Sequence, residues 1–193
     1  GPHRHSVDFW YSYGTFDDHL HPHYWTGDRP ESDRIEVNQW SPEHEADQAI
    51  SYIRNDGGDF RDSSQPFALF VSMNPPHPPY HLVPERYKSL YEGKSAEELL
   101  VRPNVDLGSE SSKRARAGVA DYFAMVSGVD EQFGRILDAL EAQGIADNTI
   151  VVFTSDHGEM MGGHGRMSKN VWYEESLNIP FLVRYPGAIQ PGE

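Results

Sequence analysis

The chain has 193 residues, enough for one domain with its own core, and thirty acidic against sixteen basic side chains give it a formal net charge of −14. That balance argues against non-specific binding to nucleic acid or to an anionic membrane, whose phosphates it would repel. It leaves room for a small anionic substrate, because a local lysine, histidine and metal ion can outweigh the global field. There is no cysteine, so these residues hold no disulfide framework and no thiol chemistry, and no run of about 18 apolar residues could span a bilayer.

Residues 1–34 are polar, aromatic and rich in histidine (His3, His5, His19, His21, His23), without a clear period. They read as a long loop with one short strand near Val7–Tyr13. The histidine spacings match no strong zinc pattern. Ser41-Pro42-Glu43 predicts a helix start, with Ser as N-cap, and a helix running to about Arg54, before Gly57-Gly58. Pro66–Met73 reads as a buried strand, ended by the proline-rich Pro75-Pro76-His77-Pro78-Pro79-Tyr80. Pro84–Tyr91 is compatible with a short helix. From about Ser112, Val119, Tyr122, Phe123, Val126, Phe133, Ile136, Leu137 and Leu140 keep the three-and-four spacing of a helix face, with Gly144 as its stop. A strand follows at 149–154, then a glycine-rich loop, then a last strand near Ile179–Arg184. This order predicts an α/β fold with a mostly parallel central sheet flanked by helices.

The chemistry is expected after the strand at 149–154. Four apolar residues in a row, Ile150–Phe153, read as a strand buried on both faces, and it runs into Ser155-Asp156-His157-Gly158-Glu159. In open α/β sheets ligands bind outside the carboxyl ends of the strands. Asp156 and His157 side by side there form half of a candidate metal site; as a bare dipeptide they would equally suit a turn cap and a surface imidazole. Lys169 offers a cation to an anionic substrate. His77 is held in a backbone stiffened by prolines, and an imidazole is the side chain best suited to proton transfer near neutral pH. His164, between Gly163 and Gly165, either lines the pocket or only supports the loop.

Thr154-Ser155-Asp156-His157-Gly158-Glu159, Gly163-His164-Gly165, Lys169, Tyr173-Glu174-Glu175 and Ile179–Arg184 together resemble the second metal-binding segment of the sulfatase family, in the alkaline phosphatase superfamily. The resemblance covers the chain from about Phe67 onward and, more weakly, the stretch before it. It implies a partial sulfatase-like catalytic domain over 1–193. Within it, 1–40 would be an irregular substrate-side loop region, and 41–193 an α/β core with a metal loop at 155–170. It implies Asp156 and His157 as ligands of a divalent ion, calcium first, with manganese or another divalent ion as substitutes. It further implies His77 as a group that contacts substrate or acts as general acid, Lys169 as a contact to the transferred group, and His164 at the substrate. The substrate would be a sulfate ester of a small molecule or carbohydrate. The family also points toward a periplasmic or secreted setting; the sequence shows neither compartment nor oligomeric state.

One requirement is unmet within these residues. The family's nucleophile is a formylglycine matured from Cys or Ser in a pattern like C/S-x-P/A-x-R. The nearest match, Ser64-Gln65-Pro66-Phe67-Ala68, ends in Ala where Arg is needed and precedes the wrong strand. Asp17-Asp18 resembles the family's paired aspartates but follows no apolar strand, so no metal role is carried to it. The expectation is therefore a middle portion of a longer enzyme, inactive alone, whose nucleophile lies upstream. A phosphonate monoester or phosphodiester hydrolase of the same superfamily would use the same Asp-His and Lys spacing. A metal-binding pseudoenzyme that lost its nucleophile is the alternative of another class.

Overall fold

The computed structural model describes residues 7–27, 30–190 and 192; His3 and His5 lie outside them. Strands β1 (Tyr11–Ser12), β2 (His23–Thr26) and β3 (Ile35–Glu36) form a small antiparallel sheet in the order β1-β2-β3. Helix α1 (Ser41–Arg54) follows, then short helices α2 (Glu85–Lys88) and α3 (Ala96–Leu99), and the long helix α4 (Lys113–Ala142). Strand β4 (Val151–Thr154), short helix α5 (Glu174–Leu177) and strand β5 (Phe181–Arg184) complete the order.

The long helix α4 is where the apolar spacing predicts it, and α1 is where its start and stop signals predict it. The start of α1 is displaced by one residue: Trp40 is the N-cap, Ser41 and Pro42 are helical, and no side chain caps the end. The proline still fits, because the first turn has no partner for an N–H. At the far end Asn55 takes a left-handed conformation (φ 56°). Helix α4 ends as Gly144 suggests. With φ 67°, Gly144 lets its own N–H reach Glu141 O (2.9 Å) and the Ile145 N–H reach Leu140 O (3.1 Å), a Schellman closure.

The sheet differs from the expectation. Strands β4 and β5 pair antiparallel, from Val151 opposite Arg184 to Thr154 opposite Phe181, so a mostly parallel sheet is not formed among the described residues. Nor is β4 buried on both faces: Val151 and Phe153 turn inward while Val152 and Thr154 are exposed. The 66–73 stretch is extended but joins no ladder; Phe67, Leu69, Val71 and Met73 are half-buried, and Ala68, Phe70 and Ser72 exposed. The strand alternation is thus present without a strand partner. Its inner side packs with Val151 on Ile50 and Ile53 of α1 and Ile136, Leu137, Ala139 and Leu140 of α4. Helices therefore cover one face of the strand-forming segments. The other face leaves Phe70 (90% exposed), Val152, Phe181 and Leu182 in solvent.

A second core cluster joins Trp40, Val83 and Tyr87 to Ala124 and Met125 of α4. Gly128 makes this contact possible, since a Cβ there would lie 2.6 Å from Trp40 Cζ3 and 3.0 Å from Tyr87 Cε2. A third cluster, Leu100, Val105, Ala115, Val119 and Met161, anchors the glycine-rich loop to the start of α4.

The N-terminal region that reads as loop is a packed aromatic layer over α1. Tyr11 stacks on Tyr24 at 4.9 Å, and the Tyr11 hydroxyl bonds His44 Nε2 at 2.8 Å. The Tyr24 hydroxyl donates to Glu45 Oε1 at 3.0 Å, while Glu45 Oε2 has no partner among the described residues. Burial pushes the Glu45 carboxyl up from 4.5 to about 8, against the smaller lowering by the Tyr24 hydrogen bond. A raised folded-state value means the protonated form is the one that folding favours. That stability is complete below the unfolded value and is lost as pH rises through about 8, at roughly 1.4 kcal/mol for each pH unit crossed between the two values. The thermal midpoint of this chain should therefore fall between about pH 5 and about pH 9 and stay flatter in Glu45→Gln, which keeps an acceptor for Tyr24 and carries no charge. A midpoint profile unchanged by the substitution would show that Glu45 is not the titrating group.

Candidate active site

Asp156 and His157 stand where β4 ends. The Asp156 side chain is 86% exposed, and its Oδ2 lies 3.5 Å from His157 Nε2. His157 Nδ1 donates to Gly158 O at 2.7 Å. That bond fixes the tautomer and leaves Nε2 as the free ring nitrogen, on the side of the carboxylate. The His157 N–H also returns to Asp156 Oδ1 at 3.0 Å. Two donors thus converge, one oxygen and one nitrogen. No group of three or more metal-ligating side chains assembles among the described residues, so the pair fits an ion as part of its ligand set and not as a complete cage. Asp17 and Asp18 do not add to it: Asp17 bonds Asn74, and Asp18 Oδ1 accepts from the His21 N–H at 3.0 Å.

The loop after this pair is built on close approaches. The Gly158 N–H donates to Ser176 O at 2.9 Å, and a Cβ at Gly158 would collide with the Glu175 carbonyl oxygen. Gly163 likewise faces the Glu175 carboxylate, 2.8 Å from where its Cβ would be. The Glu159 carboxylate turns back to accept from the N–H groups of Met161 and Ser168. Ser168 and Asn170, on either side of Lys169, both have positive φ (69° and 72°). Lys169 itself is half-buried. Its place in the loop is thus set through Glu159 at the preceding residue. His164, also at positive φ (52°), stacks on Tyr173 with ring centres 4.0 Å apart, and its Nε2 is 4.0 Å from Glu175 Oε1. Asn104 donates to the same carboxylate; that bond, with the smaller charge effects of His164 and Arg102, holds Glu175 below the usual carboxylate range. The ring of His164 is committed to its own loop.

His77 belongs to a second group. Its N–H returns to Asn74 O at 3.0 Å, and its Nδ1 donates to Pro78 O at 2.8 Å. His19, fully buried, donates from Nε2 to the His77 carbonyl at 2.9 Å. Burial holds His19 below its ordinary value, against the smaller opposing pull of that bond. Two tyrosines feel carboxylates of the His77 group and of the loop after β4. Tyr13, hydrogen-bonded to Ser72, has its pKa raised by burial, then by Glu45, and also by the charges of Asp17 and Asp156, so both carboxylates lie within its electrostatic reach. Tyr80, three residues after His77, is turned to the Glu159 carboxylate; burial first, and then Glu159, raise its phenol.

Sequence reasoning assigns no role to Tyr13, Asp17 or Glu159. Their partners lie far off in sequence, as with Asn74 and Asp17, 57 residues apart, and no periodicity announces them. Of the early histidines, His19 supports His77 through the backbone, and His23 packs against Phe16 and Trp25.

A family model for sulfatases matches residues 5–193. An endo-4-O-sulfatase of Bacteroides thetaiotaomicron is 47% identical over 192 residues, covering 97% of this chain and 36% of that protein. An ulvan-active sulfatase of Formosa agariphila is 35% identical, covering 95% of this chain and 34% of that protein. Among solved structures, a 4S-sulfatase from a study of glycosaminoglycan metabolism by B. thetaiotaomicron superposes with a TM-score of 0.89 at 47% identity, over 97% of this chain and 38% of that one. The phosphonate monoester hydrolase of Agrobacterium radiobacter gives 0.57 at 32% identity, over 78% of this chain and 35% of that one. The chain thus spans about a third of the length of the curated relatives it matches.

The packing makes one position decisive for the loop. Gly158→Ala should lower stability by about 3 kcal/mol, at the upper end of ordinary single-residue effects, and open the 156–176 loop to proteolysis. Wild-type resistance to protease would show that the Glu175 carbonyl can move aside. On the family match over nearly its whole length and the 0.89 superposition, this chain belongs to the sulfatase family and has its α/β, alkaline phosphatase-like fold.

Proposed function

We propose that these residues supply half of the metal site and the leaving-group side of a longer enzyme that hydrolyses a sulfate ester of a carbohydrate. The observation that carries this reading is the convergence of Asp156 Oδ2 and His157 Nε2 at the end of β4, in a chain of the sulfatase family. The sugar is suggested by relatives named as an ulvan-active sulfatase and an N-acetylglucosamine-6-O-sulfatase. Residues 1–193 would be one portion of a catalytic domain, with the metal loop at 155–170. The remainder would cover the exposed side of Phe70, Val152 and Leu182 and bring the nucleophile, a formylglycine by the family pattern. By itself the chain would turn over no sulfate ester, because it holds no group matured for that attack.

Asp156 and His157 would hold a divalent ion, calcium by the preference of hard cations for oxygen, with manganese tolerated by the imidazole. The bound ion would polarise an oxygen of the sulfuryl group. The residues of this chain then do three things. Lys169 places an ammonium against negative charge that builds on the sulfuryl oxygens. His77, with Nδ1 occupied by Pro78 O, presents Nε2 to the leaving oxygen, either donating a hydrogen bond to it or protonating it as the S–O bond breaks. His164 shapes the rim of the substrate site from its stack on Tyr173.

In the full-length enzyme, Asp156→Ala should remove metal and turnover together, read by metal analysis and by sulfate release. Lys169→Ala should keep the metal and slow turnover by about 10²–10³, the effect of losing one preorganised electrostatic contact. Unchanged metal content in the first variant would refute the ligand assignment, and wild-type turnover in the second would make the lysine a surface charge.

A further inference from the structure

Within the site just proposed, the bracket around His77 is more complete than the reaction role of one histidine requires. The 14–20 segment grips it at two points. His19 holds its backbone carbonyl at 2.9 Å. Asp17 brings Oδ1 to 3.4 Å from the ring Nδ1, where it would pair with an imidazolium. The carboxylate is itself fixed, because Asn74, whose carbonyl receives the His77 N–H, donates from Nδ2 to the same Oδ1 at 2.9 Å. The ring nitrogen that faces Asp17 already carries its proton, donated to Pro78 O at 2.8 Å. Hence Nε2 is the only ring position at which a proton can be gained and given away. A carboxylate on the opposite edge serves two ends: it keeps the ring from swinging, and it faces the positive charge present while both nitrogens are protonated.

From this geometry we infer that Asp17 is the positioning residue of His77, forming with Asn74 and His19 a support that aims Nε2 at the leaving-group oxygen. The inference rests on the reading of His77 given under Proposed function. The step it serves balances simply. The S–O bond to the sugar breaks, its electron pair stays on the leaving oxygen, and the Nε2 proton passes to that oxygen, leaving neutral imidazole. The sulfur is taken by the nucleophile of the longer enzyme, a formylglycine hydrate, and water is the final acceptor.

The test is a double-mutant cycle in the full-length enzyme with Asp17→Asn, His77→Gln and the pair. Sulfate release is measured from a 4-O-sulfated glycosaminoglycan oligosaccharide and from an aryl sulfate, with metal content and thermal midpoint read on every variant. Asp17→Asn is expected to lower kcat on the sugar sulfate by about 10- to 100-fold, the scale of losing a partner that orients a working group and less than the loss of a whole general acid, with little change in KM. It should cost nothing further when His77 is already Gln. The loss should be smaller on the aryl sulfate, whose leaving group needs no proton. An equal loss in both backgrounds, whether from misfolding or from a separate role of Asp17, overturns the inference while leaving His77 in place, as does a wild-type Asp17→Asn. If His77→Gln itself is without effect, the reading of His77 falls first and takes this one with it. If the wild-type enzyme turns over neither substrate, the proposed function itself fails.

Discussion

Apolar packing along one face of α4 is the constraint on which the rest of the structure depends. All three core clusters draw on this helix: Ala115 and Val119 near its start, Ala124 and Met125 in its middle, Ala139 and Leu140 near its end. Each cluster fixes a different part of the site. The middle one holds Val83 and Tyr80, and so the proline-rich segment that carries His77. The first holds Met161 and Met167, and so the loop that carries Lys169. The last holds Phe67, Leu69 and Val151, and so the ends from which His77 and Asp156 project. A helix of 30 residues is about 45 Å long, long enough to register these parts against one another without a continuous sheet.

On that frame the polar contacts set orientation at shorter range. Glu159 is the joint between the two halves of the site, accepting from Met161 and Ser168 in its own loop and facing Tyr80 in the other. Gly158 and Gly163 let the loop lie directly on Glu175. The result makes a chain of net charge −14 compatible with the anionic substrate proposed for it. Several carboxylates near the site are already occupied: Asp17 by Asn74, Glu159 by backbone N–H groups, Glu175 by Asn104. Asp156, largely exposed, stays open to the cation proposed for it.

Much of this is legible in the sequence where local rules decide the outcome. Helix α1 follows from its start signal at Ser41-Pro42-Glu43 and the glycines after it, α4 follows from the spacing of its apolar residues, and Gly144 closes α4 through the positive φ that glycine tolerates. The Asp156-His157 pair at a strand end needs only a strand and a turn. What stays illegible depends on distance along the chain. The apolar run at 66–73 has the alternation of a strand, yet a strand also needs a partner, and none among the described residues pairs with it. The antiparallel pairing of β4 with β5 is likewise a tertiary choice that hydrophobic runs do not encode. Asp17 is left without a role by the sequence because its partners, Asn74 and His77, lie in a distant segment.

The most direct test of the account compares turnover by the full-length enzyme on an aryl sulfate and on the matching aryl phosphonate monoester. The roles proposed for Asp156, His157, His77 and Lys169 would serve either anion, so the outcome depends on how they are placed around the nucleophile. The higher kcat/KM is expected on the sulfate, together with dependence on a divalent ion. Preference for the phosphonate would make this a phosphonate-cleaving relative built on the same half-site, and activity untouched by chelation would contradict the role given to Asp156 and His157.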